Sequence, residues 1–418
     1  MIRLIEALHY RCLRYVRQPL QSFHVLVGPN ASGKTTFLDV VGFLGRLVAD
    51  GLQAALEERT ANFQDLVWKR GVGPFELAVE ARIPDAIRGR APEIAWDTIR
   101  YEVCIGIHPE TEIVSILEES VILKRWREPR PVPRELFPME HTVPKSIMTH
   151  RVGGGDRRVV RKAASGLDHF YSEVGKESGK GWFPSIRLGP QKSAFGNLPE
   201  DQSTFPAATW FKTLLSEGVQ PIVLNSLLMK RPSPPGQPRT FKPDGSNLPW
   251  IVTELRKNPT RWRQWIDHVR TALPEVRDIT TVEREEDRHR YLVIEYENGL
   301  KIPSWMVSDG TLRLLALTIL AYLPSLEGVY LIEEPENGIH PLAVATVIES
   351  LRSLYEAQVL VATHSPVILS LVEAGQLLCF KKTPDGATDV VTGSEHPKLR
   401  DWKEETDLGT LFASGILG

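Results

Sequence analysis

The chain has 418 residues, 42% of them hydrophobic and 24% charged. That length predicts roughly two to four structural units, and the composition excludes a chain disordered over most of its length. Fifty basic residues against 52 acidic give a formal charge of −2, which excludes a histone-like cationic coat but leaves room for a local basic groove.

Residues 2–8 and 23–27 (FHVLV) read as strands, the second continuously apolar and so central in a sheet. A helix is predicted over 34–59, with Phe37, Leu38, Val41 and Leu44 at helical spacing. Stretches 75–83, 98–107 and 111–123 alternate apolar and polar residues, as antiparallel strands do. From 127 to 200 the pattern weakens, with Pro131, Pro133, Pro138, Pro144 and Gly153–Gly155 marking loops. Residues 232–243 (PSPPGQPRTFKP) read as a Pro-rich linker or loop. A helix is expected over 260–273, then a hairpin of 289–297 and 300–305 around Asn298-Gly299. The last third alternates helix 311–323, strand 328–333, helix 341–357, strand 358–363, helix 366–373 and strand 376–381, which predicts a largely parallel sheet.

Cys12, Cys104 and Cys379 are too scattered for a zinc ribbon or a disulfide framework. The N-terminus has no signal-peptide core, and the longest helix-like apolar run, 314–323, is too short to span a bilayer. The expectation is a soluble, cytoplasmic protein.

Residues 28–36, GPNASGKTT, fit G-x-x-x-x-G-K-[ST] between an apolar strand and a helix. Gly28, Pro29, Asn30, Ala31, Ser32 and Gly33 form the turn whose backbone N–H groups wrap a β-phosphate. Lys34 meets β- and γ-oxygens, the Thr35 hydroxyl ligates Mg²⁺, and Thr36 continues the helix whose positive end faces the phosphates. In VYLIEE (329–334) a buried strand ends in two carboxylates whose side chains point to opposite sides. Glu333 is the candidate for Mg²⁺, and Glu334 is the candidate general base for an attacking water. In VSDGT (307–311), Ser308 is a helix N-cap, and Ser308 and Gly310 are candidates to meet a γ-phosphate brought by a second subunit. His364, in THSP, ends a predicted parallel strand, where ligands bind in open α/β sheets.

This order of motifs resembles the ABC-type ATPase heads of the SMC/RecF/RecN group. It is most similar to compact stand-alone ATPases of bacterial operons, among them OLD-family relatives and the ATPase subunits of anti-phage systems such as Septu and PARIS. GPNASGKTT (28–36), SDGTLRLLAL (308–317), LIEEPENGIHP (331–341) and ATHSP (362–366) carry the resemblance, with FKPDGSNLPWIVTEL (241–255) beside them. It implies an α/β, RecF/SMC-head-like P-loop ATPase with a mixed sheet. The head would be split between 1–85 and 246–418, with an inserted lobe at 86–245. It implies ATP and Mg²⁺ as cofactors, and a head-to-tail dimer with ATP between the phosphate loop of one subunit and Ser308/Gly310 of the other. Glu333 then corresponds to the Walker B acid, Glu334 to the catalytic glutamate and His364 to the switch histidine. Gln64 is the candidate for the Q-loop glutamine beside the metal, Gln191 a weaker one, and Arg11 and Arg14 sit where related heads contact nucleotide. VSDGT in place of L-S-G-G-Q, and Glu rather than Asp at 333, depart from transporter-type domains and suit the stand-alone group.

The 273 residues between Lys34 and Ser308 hold no heptad array, so no long coiled-coil arm is expected. The 54 residues after His364 lack a D-x-D, and no nuclease constellation is visible, so cleavage of nucleic acid would fall to another polypeptide. Segments 121–134 and 157–162 are basic, and read first as solvated loops and second as DNA contacts. Trp262, Trp265, Ile266, Val269 and Leu273 share one face, a packing helix before it is a stacking platform. Three functions follow: a sensor ATPase of a defence system controlling a separate effector protein, a RecF-like clamp on duplex DNA, or a non-catalytic ATP-binding scaffold.

Overall fold

A computed structural model describes residues 1–88, 96–128, 134–162, 167–174, 186–324, 326–399 and 407–415. Strands β1 (Ile2–Tyr10), β2 (Leu13–Pro19) and β3 (Phe23–Val27) open the chain, followed by helix α1 (Lys34–Asp50). Then come β4 (Phe75–Arg82), β5 (Thr98–Ile107), β6 (Val114–Lys124), β7 (Arg157–Lys162) and β8 (Asp168–Phe170). Helix α2 (Pro206–Ser216), β9 (Val219–Ile222), α3 (Leu248–Leu255) and α4 (Pro259–Ala272) lead to the hairpin strands β10 (Val276–Glu283), β11 (Arg290–Tyr296) and β12 (Lys301–Pro303). The chain continues as α5 (Asp309–Thr318), β13 (Gly328–Glu333), α6 (Pro341–Arg352), β14 (Ala357–Ala362), β15 (Leu377–Lys382) and β16 (Thr388–Thr392).

These strands build a mixed six-stranded sheet in the order β16-β15-β3-β14-β13-β9 and an antiparallel seven-stranded sheet in the order β2-β1-β4-β5-β6-β7-β8. A three-stranded sheet, β10-β11-β12, stands apart from both. In the mixed sheet all neighbours are parallel except β15 and β16. Helix α1 buries Phe37, Val40, Val41, Phe43 and Leu44 in a core shared with the antiparallel sheet and one face of the mixed sheet. The other face of the mixed sheet packs on α3, α4, α5 and α6, with Val25, Val27, Tyr330 and Ile332 pointing to that side. Alternate residues of β3 and β13 thus serve two cores, which is why these strands read as continuously apolar.

The described elements of 86–245, expected as an inserted lobe, are woven into the head instead. β5–β8 extend the sheet begun by β1, β2 and β4, while α2 lies on α1 and β9 forms an edge of the mixed sheet. The polar half of the alternation in β4 and β5 is buried, not solvated. Arg100 bridges Glu6 at 2.9 Å, Glu80 at 3.0 Å and Glu102 at 2.7 Å. The segment around 146–149 covers this face, its backbone N–H groups at Ile147 and Thr149 donating to Glu76 and Glu102. A row of carboxylates in a strand looks like a solvent face in sequence, and here it is the seat for a covering strap.

Two local differences have simple causes. The helix predicted over 34–59 breaks at Gly51, and 52–57 forms a separate turn. β2 was hidden by Arg14, Arg17 and Gln18, because an edge strand tolerates charge. Among the described residues no helix is long and apolar enough to cross a membrane.

Candidate functional site

β3 runs from the centre of the mixed sheet straight into the turn 28–33, and α1 starts at Lys34. Gly33 caps that helix with φ +107°, and a Cβ there would lie 2.3 Å from Thr388 Oγ1, so only glycine fits. Thr388 also donates its hydroxyl to the Ser32 carbonyl at 2.8 Å, bracing the turn from β16. Lys34 folds back and its Nζ donates to the carbonyls of Gly28 (2.8 Å) and Pro29 (3.0 Å). Burial pushes the Lys34 ammonium down to about 8, against the pull of Glu334 and Glu333.

β13 ends at the same place. Its last residue, Glu333, accepts a hydrogen bond from Thr35 Oγ1 at 2.5 Å across 298 residues of chain. Glu334 leaves the sheet with φ +47°, a conformation costly for a residue with a Cβ. Its N–H still donates to the Ala362 carbonyl at 2.7 Å, and Asn337 Nδ2 donates to its Oε2 at 2.5 Å. β14 lies beside β13, so His364 emerges next to the carboxylates. Burial and Lys34 hold the His364 imidazole below its usual value, while Glu334 and Glu336 oppose them. One cavity of about 400 Å³ is lined by residues 30–36, Glu333, Glu334 and His364, together with Cys12, Ala362 and Lys382.

The donor set fits a nucleotide with its metal. The Ser32 hydroxyl is buried beside the turn, with no partner among the described residues. The Thr35 hydroxyl and the Glu333 carboxylate touch each other, both hard oxygen donors of the kind Mg²⁺ takes. Mg²⁺ keeps waters and phosphate oxygens as ligands, so a cage of many side chains is not required.

Other candidates fall elsewhere. Ser308 caps α5, accepting from the Thr311 N–H at 3.1 Å, and is exposed outside the cavity that holds Lys34. Gly310 packs so closely that a Cβ would lie 2.0 Å from the Gly338 carbonyl oxygen. Gln64 sits in a short 3-10 turn and lines neither this cavity nor the larger one beside it, so the structure does not bring it to the metal site. Gln191 bonds the Val114 carbonyl, also away from the site. Arg11 pairs with Asp39 and lines the larger cavity that Thr35, Glu333 and Glu334 also line, while Arg14 pairs with Asp385 and lines neither cavity. Lys124, Arg134 and Lys162 of the basic segments are committed to Glu80, Asp389 and Asp168, while residues 129–133 lie outside the described residues. Trp265 is fully buried and donates to Thr318 Oγ1 at 3.0 Å, so the helix 259–272 packs and its face is not a stacking platform. Cys12, Lys382 and Thr388 were not singled out in sequence, for no local pattern marks residues that only the sheet order brings to the loop.

A phosphate loop, an acidic strand end and a histidine on adjacent strands of a mixed sheet define a P-loop ATPase domain. Its fold is that of SMC heads. The chain is similar to the structure described as the SmcHead bound to the C-winged helix domain of ScpA, with 14% identity over 93% of this chain and 96% of that one and a TM-score of 0.52. It also matches an SMC head domain from Thermotoga maritima, with 10% identity over 94% and 98% of the two chains and a TM-score of 0.45. Residues 23–86 and 163–370 match the family described as "AAA domain, putative AbiEii toxin, Type IV TA system", and the chain belongs to that family.

Proposed function

We propose that the protein hydrolyses ATP with Mg²⁺ and works as a nucleotide-switched dimer that controls a separate effector. One observation carries the ATPase reading: Lys34, Thr35, Glu333, Glu334 and His364 share one cavity, with Thr35 and Glu333 in contact. Thr35 and Glu333 would hold the ion, which when bound neutralises charge on the phosphate oxygens. Lys34 exchanges its carbonyl partners for phosphate oxygens. Glu334, fixed by Asn337, orients a water and accepts its proton. His364 donates a hydrogen bond toward the γ-phosphate.

The dimer reading rests on Ser308. It is exposed and outside its own subunit's cavity, which suits a contact with a phosphate held by a second subunit. Met306 beside it is 69% exposed, and Leu342, just past the 335–341 turn, is 83% exposed, both apolar surface suited to burial against a partner. Control of a separate effector rests on the resemblance to stand-alone operon ATPases and on the toxin–antitoxin description of the family.

The test is the steady-state Mg-ATPase rate of wild type and Glu334→Gln, with and without duplex DNA at fixed low salt. The reading expects wild-type hydrolysis, its loss by roughly a hundredfold or more in Glu334→Gln, and no response to DNA. Strong stimulation by DNA would replace the effector reading with a clamp on duplex DNA. Equal rates in the two proteins would refute the assignment of Glu334.

A further inference from the structure

The turn that follows the acidic strand carries two polar side chains, and each holds a different member of the site. Asn337 Nδ2 donates to Glu334 Oε2 at 2.5 Å. One residue earlier, Glu336 Oε1 accepts from Thr363 Oγ1 at 2.5 Å and, more loosely, from the His364 N–H at 3.4 Å. Thr363 is fully buried, and its hydroxyl oxygen in turn accepts the Ser365 N–H at 2.9 Å, so the chain on both sides of His364 is tied down. Glu336 Oε2 is buried, with no donor among the described residues. A buried carboxylate oxygen left unpaired is costly, and packing alone would favour a smaller or apolar residue there.

We infer that residues 335–338 form a two-armed clamp in which Glu336 positions His364 through Thr363 while Asn337 fixes Glu334. The inference rests on the reading of Glu334 and His364 as the hydrolytic pair. Glu336 does not line the nucleotide cavity and touches no reacting atom. Its role is to set the distance between base and histidine, because both arms spring from one short turn. The turn itself is braced through the Asn337 N–H, which donates to the Glu334 carbonyl at 3.0 Å, and the Ile339 N–H, which donates to the Glu336 carbonyl at 2.9 Å. A histidine displaced by even an ångström loses its alignment with the γ-phosphate, which affects turnover more than nucleotide affinity.

The experiment compares the full chain as wild type, Glu334→Gln, Glu336→Ala, Glu336→Gln, Thr363→Val and the double variant Glu336→Ala/Thr363→Val. Each is measured for ATP dissociation constant, KM and kcat. Glu336→Ala and Thr363→Val are each expected to lower kcat about ten- to a hundredfold, with ATP affinity within about twofold of wild type. The double variant falls no further than the worse single one, since both remove the same arm. Glu336→Gln keeps an acceptor oxygen for Thr363 and retains most of kcat. Thr363→Val removes only a hydroxyl and keeps the test alive should Glu336→Ala fail to fold. Normal kcat in Thr363→Val, additive losses in the double variant, or an affinity loss matching the kcat loss would overturn the clamp. Equal rates in wild type and Glu334→Gln would instead overturn the reading beneath it.

Discussion

Lys34 folds back onto its own phosphate loop. Its side chain is buried, its ammonium held by two carbonyl oxygens and drawn toward two carboxylates. A charge kept in such a place is poised for a stronger anion than a carbonyl. Lys34→Ala is expected to weaken ATP binding roughly ten- to a hundredfold, the worth of a charge-assisted hydrogen bond, while melting temperature stays near that of wild type. Equilibrium titration with ATP checks this, and unchanged affinity would refute the phosphate-loop assignment. At this scale much was legible in sequence. Gly33, Lys34 and Thr35 fall in a contiguous pattern dictated by phosphate geometry, and Glu333 and Glu334 are adjacent at a strand end. Gln64 was placed by its distance from α1 along the chain, and that distance says nothing of where a turn folds back. Cys12 in the β1–β2 turn, Lys382 at the end of β15 and Thr388 at the start of β16 reach the loop only through tertiary pairing.

Elements position these residues through close backbone contact. Helix α5 meets the turn 335–340 where Gly310 faces the Gly338 carbonyl, with no room for a methyl group. Gly310→Ala is expected to cost about 1–3 kcal/mol of stability by overpacking. It should also lower hydrolysis by displacing the clamp turn, with ATP affinity retained because the loop at 28–33 is untouched. A Gly310→Ala protein with wild-type kcat would show that α5 and the turn are independent. β3 offers a second check. His24 accepts the Gln21 N–H through Nε2 at 2.8 Å, and its Nδ1 pairs with the Gln376 carbonyl at 3.1 Å, which fixes a neutral ring. Burial lowers its pKa from 6.5 to about 4, against the opposing Gln376 bond. The unfolded chain therefore takes up a proton between those values while the folded one does not. The contribution is intact above pH 6.5 and falls as pH drops toward 4, by about 1.4 kcal/mol per unit. An NMR titration of the ring checks the sign, and a midpoint near 6.5 would contradict it. The strands and helices of the last third were readable because the two faces of the parallel sheet impose continuous apolar runs. The strap at 146–149 was not, because its partners Glu76 and Glu102 look like surface residues until the fold covers them.

At the scale of the whole molecule, the cavity and the exposed serine at the start of α5 are separate features of one protomer. The cavity with Lys34, Glu333, Glu334 and His364 belongs to the mixed sheet, while Ser308 is exposed at the start of α5, outside that cavity. In the proposed dimer, ATP bound in one protomer would be completed by Ser308 of a second, and hydrolysis would open the pair again. The long spacing between the motifs hid how the chain fills it. The weak pattern over 127–200 went with an inserted lobe at 86–245, yet the described strands of that stretch extend the antiparallel sheet and add β9 to the edge of the mixed one. The most direct test is the solution mass of Glu334→Gln with and without Mg-ATP, by light scattering on a sizing column. The account predicts one protomer mass without nucleotide and twice that mass with it, abolished by Ser308→Arg. A Glu334→Gln protein that binds ATP tightly yet keeps the same mass would contradict the nucleotide-switched dimer.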